Sequence, residues 1–276
     1  MAARQRNLTR FLSRSFLWAG LACGVILLIS MFAFQRDRLT HRLRYRLEPH
    51  EETLSRENLN RAASTLRRRF KALDDTFGLD DPWVSLGPDN TLDVRFSTRA
   101  NIEEVLFWLT TPARVRLSLL HPDTPTLDYE PQEDPPEGYA VRTYTRYMYR
   151  LSRPGDLRTK EHYYLVGEKP VMNVSRFDNV EFHKVGIHQR TQLIFRFTPT
   201  EGQEFRDVTA LNVGRQMVML IDDRLFFPPK EIGGTVEGGA VQIQGYLYNP
   251  PLRKLVKVLN TGPLPGKLVQ LSHKVE

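Results

Sequence analysis

The hydrophobic and polar positions of this chain fall into three regimes. The first runs from Ser15 to Phe34, SFLWAGLACGVILLISMFAF, with no charge in twenty residues. As a helix it spans roughly 30 Å, the thickness of bilayer hydrocarbon. Ten of its residues are Leu, Ile, Val or Phe, and their insertion free energies sum to on the order of −3 to −6 kcal/mol. Trp18 lies near one end, where an amphipathic ring meets headgroups. A cleaved signal peptide wants a shorter apolar core and a small-x-small exit; this run leaves through Ser30-Met31-Phe32-Ala33-Phe34. A lipoprotein Cys would end the run, but Cys23 lies inside it. The pattern predicts an uncleaved transmembrane helix over 15–34, between a basic tail (1–14) and a basic linker (35–55).

The second regime mixes helical and strand periods. In Arg56–Gly78, Leu59, Ala62, Ala63, Leu66, Phe70, Leu73 and Phe77 recur at three- and four-residue steps, so one helix face is buried and Gly78 ends it. Strands follow at Pro82–Gly87 and Thr91–Ser97, joined by the turn Gly87-Pro88-Asp89-Asn90. In the second of these, Leu92, Val94 and Phe96 alternate with Asp93 and Arg95, the mark of a half-buried strand. Asn101–Thr111 is a helix with Asn101 as cap and Glu104 completing a capping box. Ala113–Leu120 closes this part (56–120) as a strand.

Residues 121–168 break the pattern. Five Pro and a run of acids fill His121–Gly138, and seven of the ten Tyr fall in this segment. Tyr with Arg suits protein contact, because rigid rings bury area at low entropic cost. The same composition suits a single-stranded nucleic-acid platform, or simply a small Tyr-rich sheet packed on the main core. The part 169–276 then offers strands at Gln192–Thr198, Arg215–Asp222, Gly239–Leu247 and Gly266–Ser272, with helices at Pro199–Gly214 and Pro250–Asn260. Its order is strand-helix-strand-strand-helix-strand, and the first half is similar. The expected fold class is α+β: a ferredoxin-like βαββαβ base carrying an inserted Tyr-rich head region.

Charge sharpens this picture. Of the formal +7, residues 1–46 hold nine Arg against Asp37 alone, and the remaining 230 residues are nearly neutral. A body with no net positive charge is a poor reader of nucleic acid, which needs a positive face. Arg flanks both ends of the apolar run, so charge bias leaves its orientation open; the cluster after it also suits anionic headgroups. One Cys excludes an internal disulfide framework and a thiolate zinc site. The seven His are scattered, no phosphate-loop motif occurs, and Asp222-Asp223 reads as a hairpin turn. No enzyme activity, cofactor or metal is expected.

The ordered motifs of the second half carry a resemblance. The run Asn212-Val213-Gly214-Arg215-Gln216-Met217-Val218-Met219-Leu220-Ile221-Asp222-Asp223 resembles the "N-x-G-[KR]-x-(V/A)-I-(V/L)-L-D-G" strand in the first extracytoplasmic domain of the bacterial export subunit SecD. Pro228-Pro229, Glu231-Ile232 with Gly233 and Gly234, Gln242-Ile243-Gln244-Gly245, Leu252–Asn260 and Thr261-Gly262-Pro263-Leu264-Pro265-Gly266 follow in the family's order. Lys169–Met172 and Leu193–Phe197 are similar upstream, and Asn58–Gly78 with Thr91–Phe96 more weakly. The resemblance makes Asn212, Gly214, Arg215, Asp222, Gly233, Gly234, Gly245, Gly262, Leu264 and Pro265 structural motif positions.

The chain departs from the family in two ways: residues 36–49 lack its "L-G-L-D-L-x-G-G" motif, and no block of further membrane helices follows before Glu276. The resemblance therefore implies a free-standing, anchored copy of the domain in a bacterial cytoplasmic membrane, single-pass, amino terminus inside, body in the periplasm or other extracytoplasmic space. It implies a role in protein translocation beside the Sec translocon, by binding an unfolded client polypeptide or the translocon itself. Expected partners are membrane lipid and export machinery or another membrane complex, and not nucleic acid. Tyr144, Tyr147, Tyr149, Arg146 and Arg150 are the candidate contact residues. The alternative is a structural subunit of an envelope complex that uses the domain only for docking.

Overall fold

The computed structural model describes residues 38–49, 55–123, 126–127, 134–149, 157–185, 190–245 and 252–276. The apolar run 15–34 lies outside them. Among the described residues, no helix is long and apolar enough to cross a membrane.

The described chain starts with a strand where a linker was expected. Leu39–Pro49 is β1, with His41, Leu43, Tyr45 and Leu47 buried and Arg42, Arg44, Arg46 and Glu48 exposed between them. The boundary 35–55 is corrected accordingly. The arginines that suggested a membrane-facing tether are the outer face of a sheet, and the alternation itself is the strand signature.

Helix α1 (Arg56–Phe77) follows, capped by Ser55, whose side chain accepts from the Asn58 amide at 3.1 Å. Gly78 ends it in the left-handed region, φ 56°, donating its N–H to Asp74 O, a conformation that a Cβ would penalise. Strands β2 (Asp80–Leu86) and β3 (Thr91–Thr98) form the expected hairpin. Helix α2 (Ile102–Thr110) is capped by Asn101, which accepts from the amides of Glu103 and Glu104. The expected box is only half formed, since the Glu104 carboxylate pairs with Lys254.

From β4 (Val115–Leu119) the chain leaves this layer, and it returns only with α4 (Leu252–Asn260) and β15 (Gly266–Val275). The sheet order is β15-β1-β3-β2, antiparallel throughout. Strand-helix-strand-strand-helix-strand is thus built from both ends of the chain, with α1 and α4 packed together on one face. Their apolar stripes meet Leu43, Leu47, Leu92, Val94 and Phe96 in one core.

The insertion carries the remaining strands. β5 (Thr126–Leu127), β7 (Leu157–Gly167) and β6 (Tyr139–Tyr149) form a three-stranded sheet in that spatial order. β8 (Met172–Val174), β4, β11 (Gln216–Ile221) and β12 (Arg224–Leu225) form another, with β13 (Lys230–Glu231) beside β11. β9 (Phe177–Val185), β10 (Arg190–Phe197) and β14 (Ala240–Gly245) form the last, and α3 (Pro199–Leu211) packs against β8 and β10. The second half is therefore not a repeat of the first: β10 and β14 pair with each other, β11 joins β4, and β15 goes to the base sheet. Period-2 patterning marks a strand but does not name its partner.

The insertion's core is aromatic. Phe177, Phe195, Phe197, Phe205 and Phe227 are buried, and the Phe197 and Phe205 rings stack at 4.7 Å. α3 starts at Thr198 and Pro199, and its Glu201 is buried yet satisfied by the Ser175 amide and hydroxyl, the Arg176 amide and Thr198 Oγ1.

Candidate functional site

The Tyr-rich segment is a long antiparallel ribbon, β6 against β7, paired from Tyr139↔Gly167 to Tyr149↔Leu157 without a register shift. One face carries the pairs Ala140/Val166, Arg142/Tyr164, Tyr144/His162 and Arg146/Lys160. Tyr164 and Val166 are buried with Leu120, Val218, Leu220 and Leu225, and the half-buried Tyr144 packs on that cluster. The Leu120↔Val166 bridge ties the ribbon to β4. On this face the reading of a small Tyr-rich sheet packed on the main body is the correct one.

The candidate contact residues are divided accordingly. Tyr144 faces the seam, its ring 6.4 Å from that of His162, and Arg146 is exposed beyond it. Tyr147 and Tyr149 lie further along β6, paired with Thr159 and Leu157. Arg150 lies outside the described residues. The His162 imidazole is held below its ordinary pKa by burial first, then by Lys160 and Arg146. Along the seam, Ser118 Oγ, Arg142 Nε and His162 Nε2 are buried with no hydrogen-bond partner.

A second constellation sits where the insertion leaves and rejoins the base. Arg69 of α1 is fully buried and donates to the carbonyls of Leu109 (2.7 Å), Thr111, Pro112 (3.5 Å) and Gly262 (3.4 Å), and to Thr261 Oγ1 (3.3 Å). These acceptors end α2 and α4, so one guanidinium neutralises the negative ends of two helices. Burial lowers its pKa to about 9, Asp222 works against that, and the group stays a cation at neutral pH. Asp222 accepts from the amides of Ala113 and Arg114, both at 2.9 Å, and Leu264 N–H donates to Pro112 O.

Three motif positions thus converge on this crossing: Asp222 and Leu264 by their bonds to it, Gly262 by its carbonyl and its φ of 81°. Pro265 lines a cleft of about 240 Å³ beside it, with Arg61, Arg114, Arg116 and Asn173. Asn212 and Gly214 shape the turn from α3 into β11: Asn212 Nδ2 donates to Val208 O, and Gly214, φ 80°, donates to Ile232 O. Arg215 returns a bond from Nη1 to Asn212 Oδ1 at 3.3 Å. Gly245 ends β14 opposite Thr191. A Cβ at Gly233 or Gly234 would meet nothing within 4 Å, and nothing in the structure explains those two glycines.

Arg69 was not among the sequence candidates, although it falls on the buried face between Leu66 and Leu73. Its charge hid it; its position gave the signal. Chemically, both constellations hold surfaces and segments in place. Among the described residues no group of three or more His, Cys, Asp or Glu could hold a metal ion.

The family model described as SecDF, P1 head subdomain, matches residues 147–266, from the end of β6 to the start of β15. SecD of Acidaminococcus fermentans is 34% identical over 79 residues, 29% of this chain and 19% of that protein. SecDF of Thermus thermophilus is 30% identical over 79 residues, 11% of its length, and SecD of Rickettsia felis 28% over 116 residues, 22% of its length. The matched stretch is thus about a fifth or less of each relative. A solved SecDF chain described as a membrane component that enhances protein export superposes with a TM-score of 0.57 at 18% identity, over 84% of this chain and 98% of that one. A second, SecDF in a super-membrane-facing form, gives 0.59 over 86% of this chain and 30% of that one. At this identity the superpositions speak for the fold alone; the head-subdomain match and the SecD relatives support a SecD P1-like domain in this chain.

Proposed function

We propose that the protein assists protein export across a bacterial cytoplasmic membrane. In this reading residues 15–34 anchor it in one pass, amino terminus inside, and the P1-like domain works on the extracytoplasmic face. There it binds and releases an unfolded client polypeptide or a component of the translocon, with no covalent step. The observation that carries the reading is the head-subdomain match over 147–266 on a described body of the same fold.

The proposed contact is Arg146, exposed on the ribbon, together with Tyr147, Tyr149 and Arg150. Tyr144 supports it from within, since its ring packs on the hydrophobic seam. Photoactivatable residues at 146, 147 and 149, in cells exporting a stalled precursor, should give client or translocon adducts. Positions on the exposed side of α3, such as Gln203, should give few. Equal yields from both sets would remove the contact assignment. Stoichiometric recovery of one membrane complex, with no client adduct anywhere, would favour the docking-only alternative.

A further inference from the structure

The base sheet has two faces, and only one is covered by α1 and α4. Strand register puts a row across all four strands of the other face: Lys274, Arg42, Arg95 and Trp83. The next row reads Ser272, Arg44, Asp93 and Ser85. A shallow concavity of about 520 Å³ lies over these rows. Arg42, Arg44, Arg46, Arg95 and Lys274 are all exposed there, against Asp93 and Glu276. Arg44 pairs with Asp93, Arg42 with Glu276 and Arg46 with Glu48, and the two cations of the first row, Arg95 and Lys274, remain in excess. Residues 47–276 taken together are close to neutral, so this face is a local cationic island. Trp83 is 51% exposed at its margin, an indole left half in water beside a basic row.

Such a face attracts an anionic surface, and the indole suits the layer where apolar and polar regions meet. Its place in the chain narrows the choice of surface. β1 starts at Leu39, and only residues 35–38 separate it from the apolar run ending at Phe34. Even fully extended, that connection reaches about 17 Å, so an anchored chain carries the sheet at the height of the headgroups.

We propose that the outer face of the β15-β1-β3-β2 sheet lies on anionic phospholipid headgroups, with the Lys274–Arg42–Arg95 row as the charged contact and Trp83 at the interface. This fixes the orientation of the base on the bilayer and points the insertion away from it. The proposal rests on the anchor reading above; it does not depend on client binding.

Full-length protein carrying Cys23→Ala, with a fluorophore on Ser85→Cys or Ser272→Cys, would be placed in nanodiscs whose lipids bear a headgroup nitroxide quencher. A label on Gln203→Cys, on exposed α3, serves as the control. In phosphatidylglycerol discs the labels at 85 and 272 should be quenched and that at 203 should not. Quenching should be lost in phosphatidylcholine discs, at high salt, and in an Arg42→Glu/Arg95→Glu variant. The change of lipid needs no substitution in the face, so misfolding of that variant would not rescue the idea. Equal quenching at 203 and 272, or quenching independent of lipid charge as a protein occupant would give, overturns it. Resistance to carbonate washing in the same samples separates the two claims: a retained but unquenched chain removes this surface and leaves the anchor, whereas a released chain removes both.

Discussion

Arg69 gives five donors' worth of order to a place where two chain crossings meet. Replacing it by Met keeps much of the volume and strands the carbonyls of Leu109, Thr111 and Gly262, while Pro112 O keeps the Leu264 N–H, so Arg69→Met should cost about 3–5 kcal/mol of unfolding free energy, read as a shift in denaturation midpoint. A loss below ~1 kcal/mol would mean that water or a backbone shift satisfies those carbonyls. Ser118 is the opposite case. Its hydroxyl is buried in the seam under the ribbon with no partner, so Ser118→Ala should be neutral or stabilising by up to ~1 kcal/mol. His41 and His162 both have lowered pKa values, chiefly through burial, and His41 also faces His273 at 2.9 Å. A base held below its ordinary pKa binds fewer protons folded than unfolded, so stability is full above the ordinary histidine value of 6.5 and falls as pH drops through and below it. Thermal midpoints measured from neutral pH downwards should fall, and His41→Gln should flatten that slope; an unchanged slope would remove His41 from the account.

At the scale of elements, periodicity was a good guide wherever one face meets the core and the other meets water. Helix α1 buries every apolar position expected of it, and β3 alternates as read. Strand β1 has the same alternation, but its outer positions are nearly all Arg, and charge counting concealed it next to the apolar run. Pairing was not legible, because the partners of β10, β11 and β15 are set by contacts between distant segments. Edge protection is similarly invisible in sequence. Asn260, at the end of α4, accepts from Val180 N–H at 2.7 Å and donates to Val180 O at 2.9 Å, closing the edge of β9 as a neighbouring strand would. Asn260→Ala should cost about 1–3 kcal/mol by leaving both groups unpaired, and hydrogen exchange at the Val180 amide should quicken well beyond that of β10. Unchanged exchange there would show that the plug is dispensable.

For the whole molecule, the ends of the chain make the base and the middle makes the insertion. The family resemblance was legible because its motif residues sit at turns and crossings, where Asp222, Gly214 and Gly262 are fixed by backbone geometry rather than by bulk hydrophobicity. The contact surface was less legible: Tyr content marked the ribbon, but the pleat decides which rings pack inward, and Tyr144 is one that does. The proposed role requires this body to lie outside the cytoplasm, held by residues 15–34. The most direct test fuses a topology reporter at Glu276, at the exposed end of β15. Alkaline phosphatase placed there should be active and green fluorescent protein dark, in membranes that retain the chain through carbonate; a fluorescent, phosphatase-inactive fusion would put the domain in the cytoplasm and contradict the account.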